Sequence, residues 1–410
     1  MKLTDIKNKL TYKNIFIAVM SAMTIIWAFL LLTDYESLLQ TFFLKCEDFM
    51  ADFTNVVQYS KNFDPYHSTT NTSAEHAYFP LSYLITGFFA GIALDCSQND
   101  FTIWQDPVMM NFILLFFEFL AVLLFAELYE MADGTKLTKL LISLVLICSG
   151  AYITAVERGN LIILSVILSI FFVNYYDSSN KVVRELAFIA LSAAAALKAT
   201  PALLGIILLY EKRYKEAARL IVYGISFCFL PFLFLKGGFA NIPVFLNNVR
   251  ENFSLYENTI GCGLDSMLRA LGLHYPNMVS FSRIITYIIS ALILLTYTSE
   301  QKKWKKLLGL SMIIIMLPNH SEGYNVLMLL PVTVMFLNEK EHSKLDWIYL
   351  ICFILLYCPL YIENLTGFYD YQYPLAVIFI MLGIESERKL FEKIGELKIC
   401  VRQTAEQSAE

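Results

Sequence analysis

The chain has 410 residues, of which 57% are hydrophobic and 16% are charged, and its mean hydropathy is +0.56. Soluble proteins carry about a quarter charged residues, so this composition excludes an ordinary soluble protein and indicates an integral membrane protein. The net charge of -5, with basic residues only in short clusters, argues against a nucleic-acid partner. The eight cysteines show no paired metal-ligand spacing, and a disulfide framework is not expected.

Apolar runs close to the length of about 20 residues that crosses a bilayer recur along the whole chain. We place them at 14–33, 78–95, 107–128, 140–156, 160–175, 187–210, 219–236, 280–298, 306–318, 323–338, 346–362 and 373–386. They predict an all-α polytopic membrane protein with about 12 transmembrane helices. A single membrane domain is expected over residues 1–392, followed by a polar cytoplasmic tail at 393–410.

The charges of the connectors predict the orientation of the chain. When the spans alternate strictly, the basic connectors all fall on one side: 1–13, 211–219, 301–306, 338–344 and the tail from 385. The positive-inside rule then makes both termini cytoplasmic and the long acidic or aromatic connectors external. One stretch conflicts, because strict alternation places the lysine-bearing connector 129–139 outside and 157–160 inside. A hairpin would remove the conflict. The alternative is that 187–210 forms two half-helices, which needs a compensating re-entrant segment upstream, at 78–95.

The first external stretch, "CEDFMADFTNVVQYSKNFDPYHSTTNTSAEHAYFPLSYL", is polar and holds five carboxylates. Asp48 and Asp52 are four residues apart, which places both on one face of a helix. A carboxylate near the membrane surface can take the proton of an attacking hydroxyl, so Asp52 is our preferred catalytic base and Asp48 the second candidate. The alternative is a merely solvated acidic loop. In the later external connector 237–279, the apolar spacing predicts short helices on the membrane surface.

The motif "ERGNL" at 157–161 lies between two apolar runs. Arg158 presents a planar fork of donors that suits a phosphate, and Asn160 adds an amide that can be oriented toward the same ligand. The alternative is a tight turn that marks topology, in which Gly159 relieves backbone strain.

A lysine and a proline interrupt the apolar run 187–210. Proline disfavours helical geometry just before it, so Lys198 and Pro201 indicate two half-helices that meet at "KATP". A lysine in the middle of a span is costly and needs an anion. That anion is either a ligand phosphate or an intramembrane carboxylate such as Glu118 or Glu157.

Several external side chains can bind the hydroxyl groups or rings of a sugar. These candidate substrate-binding residues are Tyr66, His76, Tyr78, His320 and Tyr324. No two histidines share the helix spacing of metal ligands, so neither a metal site nor a cofactor is predicted.

These motifs, in this order, resemble those of glycosyltransferase family 87, a family of polyprenyl-phosphate-sugar transferases with the C-class glycosyltransferase fold. The resemblance rests on "ADFTNVVQYSKNFDPYHS…YFPLSYLI", "ERGNLIILSVILSIFFV", "AAALKATPALLGIILLYEKRYKEAARL" and "PNHSEGYNVLMLLP". It covers the chain from about Ala51 to Pro331.

The resemblance implies a reaction and roles for particular residues. A sugar would move from a polyprenyl-phosphate donor to an external glycan or glycolipid, with inversion at the anomeric carbon. Asp52 would be the base, and Arg158 and Lys198 would neutralise the donor phosphate. A bacterial inner membrane, with the active site facing outward, is implied as the location.

Two other functions are compatible with the sequence. Lys198 and the broken helix at Pro201 also suit the midplane site of a transporter or flippase for a lipid-linked sugar, although no matching break occurs in the second half. A polysaccharide polymerase or ligase would use a lipid-diphosphate donor and arginines in a large external loop. The connector 237–279 offers Arg250 and Arg269 for that purpose.

Overall fold

The computed structural model describes residues 11–33, 49–68, 72–92, 106–255, 261–273, 277–318, 321–360 and 371–407. Throughout these ranges the regular secondary structure is helical, which confirms the predicted all-α class. The predicted site residues Asp48 and His320 lie outside the described ranges.

The helices are numbered here in chain order. The first half contains α1 Tyr12–Leu31, α2 Ala51–Tyr59, α3 Pro80–Ile92, α4 Pro107–Met131, α5 Lys136–Ile147, α6 Gly150–Glu157, α7 Ile162–Tyr175, α8 Lys181–Leu197 and α9 Ile206–Tyr210. The second half contains α10 Tyr214–Phe229, α11 Ile242–Leu255, α12 Leu264–Ala270, α13 Met278–Thr296, α14 Lys303–Met316, α15 Leu330–Asn338, α16 Asp346–Tyr357 and α17 Gln372–Gln407. Short 3₁₀ segments occur at Lys61–Phe63, Pro65–His67, Ser73–Glu75, Thr200–Gly205, Leu230–Phe234, Gly238–Asn241, Tyr297–Ser299 and Gly323–Leu329.

Only some of these helices have the length of a full membrane span. Within the described ranges, four helical segments are long and apolar enough to cross a membrane, and a fifth is the pair α5 and α6, which is bent by 49°. Several other apolar helices have between 10 and 17 residues. The predicted count of about twelve spans stays a prediction, and α17 runs unbroken through the predicted domain boundary at 392.

The helix break predicted from Lys198 and Pro201 is present. Helix α8 ends at Leu197, and Lys198 has an extended backbone (φ -140°, ψ 119°). The chain resumes as the 3₁₀ segment Thr200–Gly205, with Pro201 in its first turn, where proline's fixed φ and missing N–H are tolerated. The break places the half-buried Lys198 side chain at a helix end.

Contacts between connectors define one end of the bundle, which we call the basic end. The Lys13 ammonium donates to the Asp133 carbonyl at 2.7 Å, and the Asp133 N–H donates to the Asn338 side chain at 2.9 Å. The Lys302 ammonium donates to the Glu341 carbonyl at 2.6 Å. The connector 129–139 therefore lies with the other lysine-bearing connectors, as its charge suggests.

Strict alternation of the predicted spans is wrong at this point. The turn 157–160 follows at the far end of the bent pair α5 and α6, where its backbone bonds the start of α2. The hairpin and the re-entrant segment at 78–95 both stay predictions, and α3 covers Pro80–Ile92 of that run within the described residues.

A small aromatic cluster holds the first loop against the second half of the chain. The Tyr66 ring packs on Phe232 and Tyr83, with centroids 5.5 and 5.2 Å apart. Nearby, Asp64 bonds Lys236 and His67, each at 2.9 Å. Burial raises the pKa of Asp64, but these two hydrogen bonds outweigh it and hold the pKa below its ordinary value. The carboxylate therefore stays ionised and keeps the loop attached.

Candidate active site

The first residues of α2 are positioned by the "ERGN" turn. The Met50 N–H donates to the Glu157 carbonyl at 2.6 Å, and the Asp52 N–H donates to the Arg158 carbonyl at 2.9 Å. The first N–H groups of a helix have no partner inside the helix, so these two carbonyls fix where α2 begins. Asp52 lies in the first turn of α2, where the helix dipole favours a carboxylate.

Both oxygens of the Asp52 carboxylate are hydrogen-bonded. Arg158 Nη2 donates to Oδ1 and Asn160 Nδ2 donates to Oδ2, each at 2.6 Å. The Asn160 amide is itself held, because its Oδ1 accepts from the Ile162 N–H at 2.9 Å. The Asp52 side chain keeps 17% of its surface exposed and the Arg158 side chain 28%. The carboxylate is thus fixed in orientation but still open to a ligand.

The Lys198 ammonium lies between two tyrosine rings. Its Nζ is 5.5 Å from the centre of the Tyr78 ring and 5.7 Å from that of Tyr324. Asp52 and Glu322 act on it electrostatically, yet no described carboxylate forms an ion pair with it within 4 Å. An ion pair with Glu118 or Glu157, the alternative raised by the sequence, does not form in this structure. The cation therefore remains available to an anionic ligand.

One cavity of about 930 Å³ joins these groups. Its lining includes Asp52, Tyr78, Arg158, Lys198 and Tyr324. These residues come from four parts of the chain: the first external stretch, the "ERGN" turn, the "KATP" break and the 3₁₀ segment Gly323–Leu329. Apolar side chains cover other parts of the wall: Phe245, Val249, Val326, Leu355, Leu356 and Leu360. A ligand with both a charged and an apolar part can therefore fit.

Three predicted site residues lie beside the cavity and do not line it. Tyr66 donates from its hydroxyl to the Tyr78 carbonyl at 2.9 Å. His76 is buried against the Tyr59 ring, with centroids 4.3 Å apart, and its carbonyl accepts from Asn248. Asn160 lies behind Asp52. In this structure Tyr66 and His76 support the loop that carries Tyr78.

The cavity also contains carboxylates that the sequence did not single out as site residues. These are Glu75, Glu157 and Glu322. The Glu75 carboxylate accepts from the Tyr59 hydroxyl at 2.7 Å. Two of them lie close to residues that the sequence did single out, since Glu157 is the first residue of "ERGN" and Glu322 is two residues before Tyr324. This proximity is the sequence signal that could have identified them. Within the described ranges, no group of three or more histidine, cysteine, aspartate or glutamate side chains could hold a metal.

Gly159 allows the close contact between the "ERGN" turn and α2. Its φ is +64°, and an added Cβ would lie 2.9 Å from Met50 Sδ and from Phe53 Cβ. We expect Gly159→Ala to destabilise the protein by about 2 kcal/mol or more, because it adds left-handed strain to a steric clash. It should also weaken transfer by displacing Asp52 from Arg158. Thermal unfolding and activity of the purified variant test this.

Gly224→Ala is the matched control for this variant. Gly224 lies inside α10, has ordinary helical geometry, and nothing is within 4 Å of its would-be Cβ. Alanine should therefore be neutral or slightly stabilising there. Equal stability of Gly159→Ala and wild type would show that the turn does not need a glycine.

Comparison with known proteins identifies the family of the chain. No curated protein and no solved structure matches the chain, so the C-class arrangement of helices stays a prediction. The sequence model of glycosyltransferase family 87 matches residues 77–318, more than half of the chain. The matched segment includes Tyr78, Arg158, Asn160 and Lys198, whereas Asp52 precedes it and reaches the site through its hydrogen bonds to Arg158 and Asn160. The predicted family is therefore confirmed, and the chain belongs to glycosyltransferase family 87, a family of membrane glycosyltransferases.

Proposed function

We propose that this protein transfers a mannose- or pentose-like sugar from a polyprenyl-phosphate donor to an external glycan or glycolipid acceptor. The observation that supports this proposal is that an oriented carboxylate, Asp52, and a cation with no ion-pair partner among the described residues, Lys198, line one cavity. A glycosyl transfer with a phosphate leaving group requires these two functions, a proton acceptor and a stabiliser of developing negative charge.

The proposed reaction is a single displacement. The acceptor hydroxyl oxygen attacks the anomeric carbon and forms the new C–O bond, while its proton passes to the Asp52 carboxylate. The bond between the anomeric carbon and the phosphate oxygen breaks, and its electron pair leaves with the polyprenyl phosphate. Attack opposite the leaving group inverts the anomeric centre. No metal or cofactor takes part in this scheme.

Lys198 and Arg158 have different proposed roles. The Lys198 ammonium would bind the donor phosphate directly, with the Tyr78 and Tyr324 rings enclosing it. Arg158 already donates to Asp52, so its first role is to orient the base. A guanidinium has five N–H donors, so Arg158 can also contact the phosphate.

The cavity suits a lipid-linked donor that lies at the external surface of the membrane. Its apolar wall, which includes Leu355 and Leu356, offers a surface to the isoprenoid chain. The lysine-bearing connectors lie at the opposite, basic end of the bundle, so the positive-inside rule directs the cavity away from the cytoplasm. We place the protein in a bacterial inner membrane with its site facing outward.

The test uses the full chain, purified in lipid nanodiscs. It would be incubated with a panel of polyprenyl-phosphate sugars and, separately, with the corresponding diphosphate-linked sugars. We expect one phosphate-linked donor to raise the unfolding temperature and, with a suitable acceptor, to release polyprenyl phosphate. NMR of the product should show the opposite anomeric configuration to the donor.

Other results would contradict the proposal. Turnover of diphosphate-linked donors alone would favour a polymerase or ligase. Movement of a lipid-linked sugar across vesicle membranes, without cleavage of the sugar from the lipid, would favour the transporter.

A further inference from the structure

Glu157 is a buried residue that lines the cavity, and its carboxylate has no hydrogen-bond or ion-pair partner among the described residues. It is the last residue of α6, is only 4% exposed, and lies on the cavity wall. Its backbone carbonyl accepts from the Met50 N–H, but among the described residues its carboxylate forms neither a hydrogen bond nor an ion pair. Asp52 and Glu75, two other carboxylates of the cavity, both have hydrogen-bond donors.

The wall that carries Glu157 is held rigidly. Positions 150, 154 and 157 of α6 recur at helical spacing and all face the cavity. At the other end of α6, a Cβ on Gly150 would lie only 2.6 Å from the Cys358 carbonyl, so the helix packs directly on the chain that follows α16. The backbone of α6 therefore holds position 157 on the cavity wall.

The chemistry of the carboxylate limits what it can bind. A buried carboxylate without donors is unfavourable, and when ionised it can only accept hydrogen bonds or pair with a cation. Arg158 acts on it electrostatically but is hydrogen-bonded to Asp52. The electrostatic partners of Lys198 are Asp52 and Glu322. Neighbouring hydroxyl groups of a sugar present two donors side by side, which match the two oxygens of one carboxylate.

We propose that Glu157 accepts hydrogen bonds from neighbouring hydroxyl groups of the transferred sugar and thereby determines which sugar the site takes. This inference rests on the proposed function. The transferred sugar is the relevant part of the substrate because Glu157 directly precedes Arg158, which holds Asp52. A sugar ring whose anomeric carbon lies at Asp52 brings its own hydroxyl groups to the adjoining wall.

The test compares two lipids that differ only in the sugar. Binding of polyprenyl phosphate and of the best polyprenyl-phosphate sugar would be measured for wild type, Glu157→Gln and Thr154→Val. Wild type should bind the sugar-bearing lipid more tightly than the sugarless one. Glu157→Gln should lose about tenfold or more of that difference, while its binding of sugarless polyprenyl phosphate is unchanged. Thr154→Val, one turn away on the same wall, should keep the difference.

Donors that lack single hydroxyl groups provide a second measurement. Removing the hydroxyl that Glu157 binds should weaken binding to wild type but not to Glu157→Gln. The inference is overturned if Glu157→Gln keeps the full sugar preference, or if it loses affinity for both lipids equally. Failure of wild type to bind either lipid would instead overturn the proposed function, and this inference with it.

Discussion

Replacement of Asp52 by asparagine should reduce glycosyl transfer roughly 10²- to 10⁴-fold, the range that a general base contributes. The variant keeps nearly the same shape at this position but cannot take the proton of the acceptor hydroxyl. Binding of the donor should change little, because Lys198 carries the phosphate contact in the proposed site. Single-turnover transfer and donor-dependent thermal stabilisation of the two proteins would measure the two effects separately.

The hydrogen bonds of Asp52 require a further control. Arg158 and Asn160 both donate to the carboxylate, so an asparagine at position 52 must turn its NH₂ toward one of these donors. The exchange Asp52→Asn with Asn160→Asp repairs this conflict. Residue 160 then accepts from the new amide and from the Ile162 N–H, as Asn160 Oδ1 does now. The exchange keeps a negative charge near Arg158 but moves it off position 52.

The two variants together separate structure from chemistry. The exchange should recover much of the stability lost in Asp52→Asn and recover little transfer. Recovery of both would mean that any carboxylate near Arg158 suffices. Wild-type transfer by Asp52→Asn alone would remove Asp52 from the site and make Asp48 the next candidate base.

The sequence could predict which residues line this site better than it could predict their contacts with one another. Arg158 and Lys198 stood out because each is a charged residue beside or within an apolar run, where charge is costly. Asp52 was one of five carboxylates in a polar stretch, and its helical spacing from Asp48 and the family resemblance favoured it. Their pairing could not be predicted, since Asp52 and Arg158 are 106 positions apart in the chain. The backbone hydrogen bonds between the start of α2 and the "ERGN" turn have no local signature in the sequence.

For the fold as well, features with a local sequence signal could be predicted, whereas features that depend on tertiary packing could not. Apolar length predicted helices, and Lys198 with Pro201 predicted the break after α8, because both signals are local. The 49° bend between α5 and α6 is not predicted, since the run 140–156 contains no proline, and the only local signal is Ser149, which caps α6 just before Gly150. Whether a loop side chain faces the cavity depends on tertiary packing, which is why the sequence could not predict that Glu157 lines the cavity and that Tyr66 and His76 do not.

Replacement of Lys198 by methionine should have opposite effects on stability and on donor binding. Lys198 is half-buried and has no ion-pair partner among the described residues, which is unfavourable in the ligand-free protein, so the unliganded variant should unfold at the same temperature as wild type or higher. The donor, however, loses a charge-assisted contact to its phosphate. Its affinity should fall about 10- to 100-fold, as expected for a hydrogen bond to a charged group. Thermal unfolding with and without the donor measures both effects.

Two further variants identify which property of Lys198 is responsible. Lys198→Arg keeps the charge, and because a guanidinium stacks well on aromatic rings, it should retain most donor binding between Tyr78 and Tyr324. Tyr78→Phe keeps the ring and should also bind. Lower stability of Lys198→Met together with an undiminished donor response would show that the lysine supports the fold. Equal or higher stability of Lys198→Met together with weaker donor binding would show that the lysine binds the donor. The lysine at the broken helix would then destabilise the ligand-free protein, and the donor phosphate would supply its ion-pair partner.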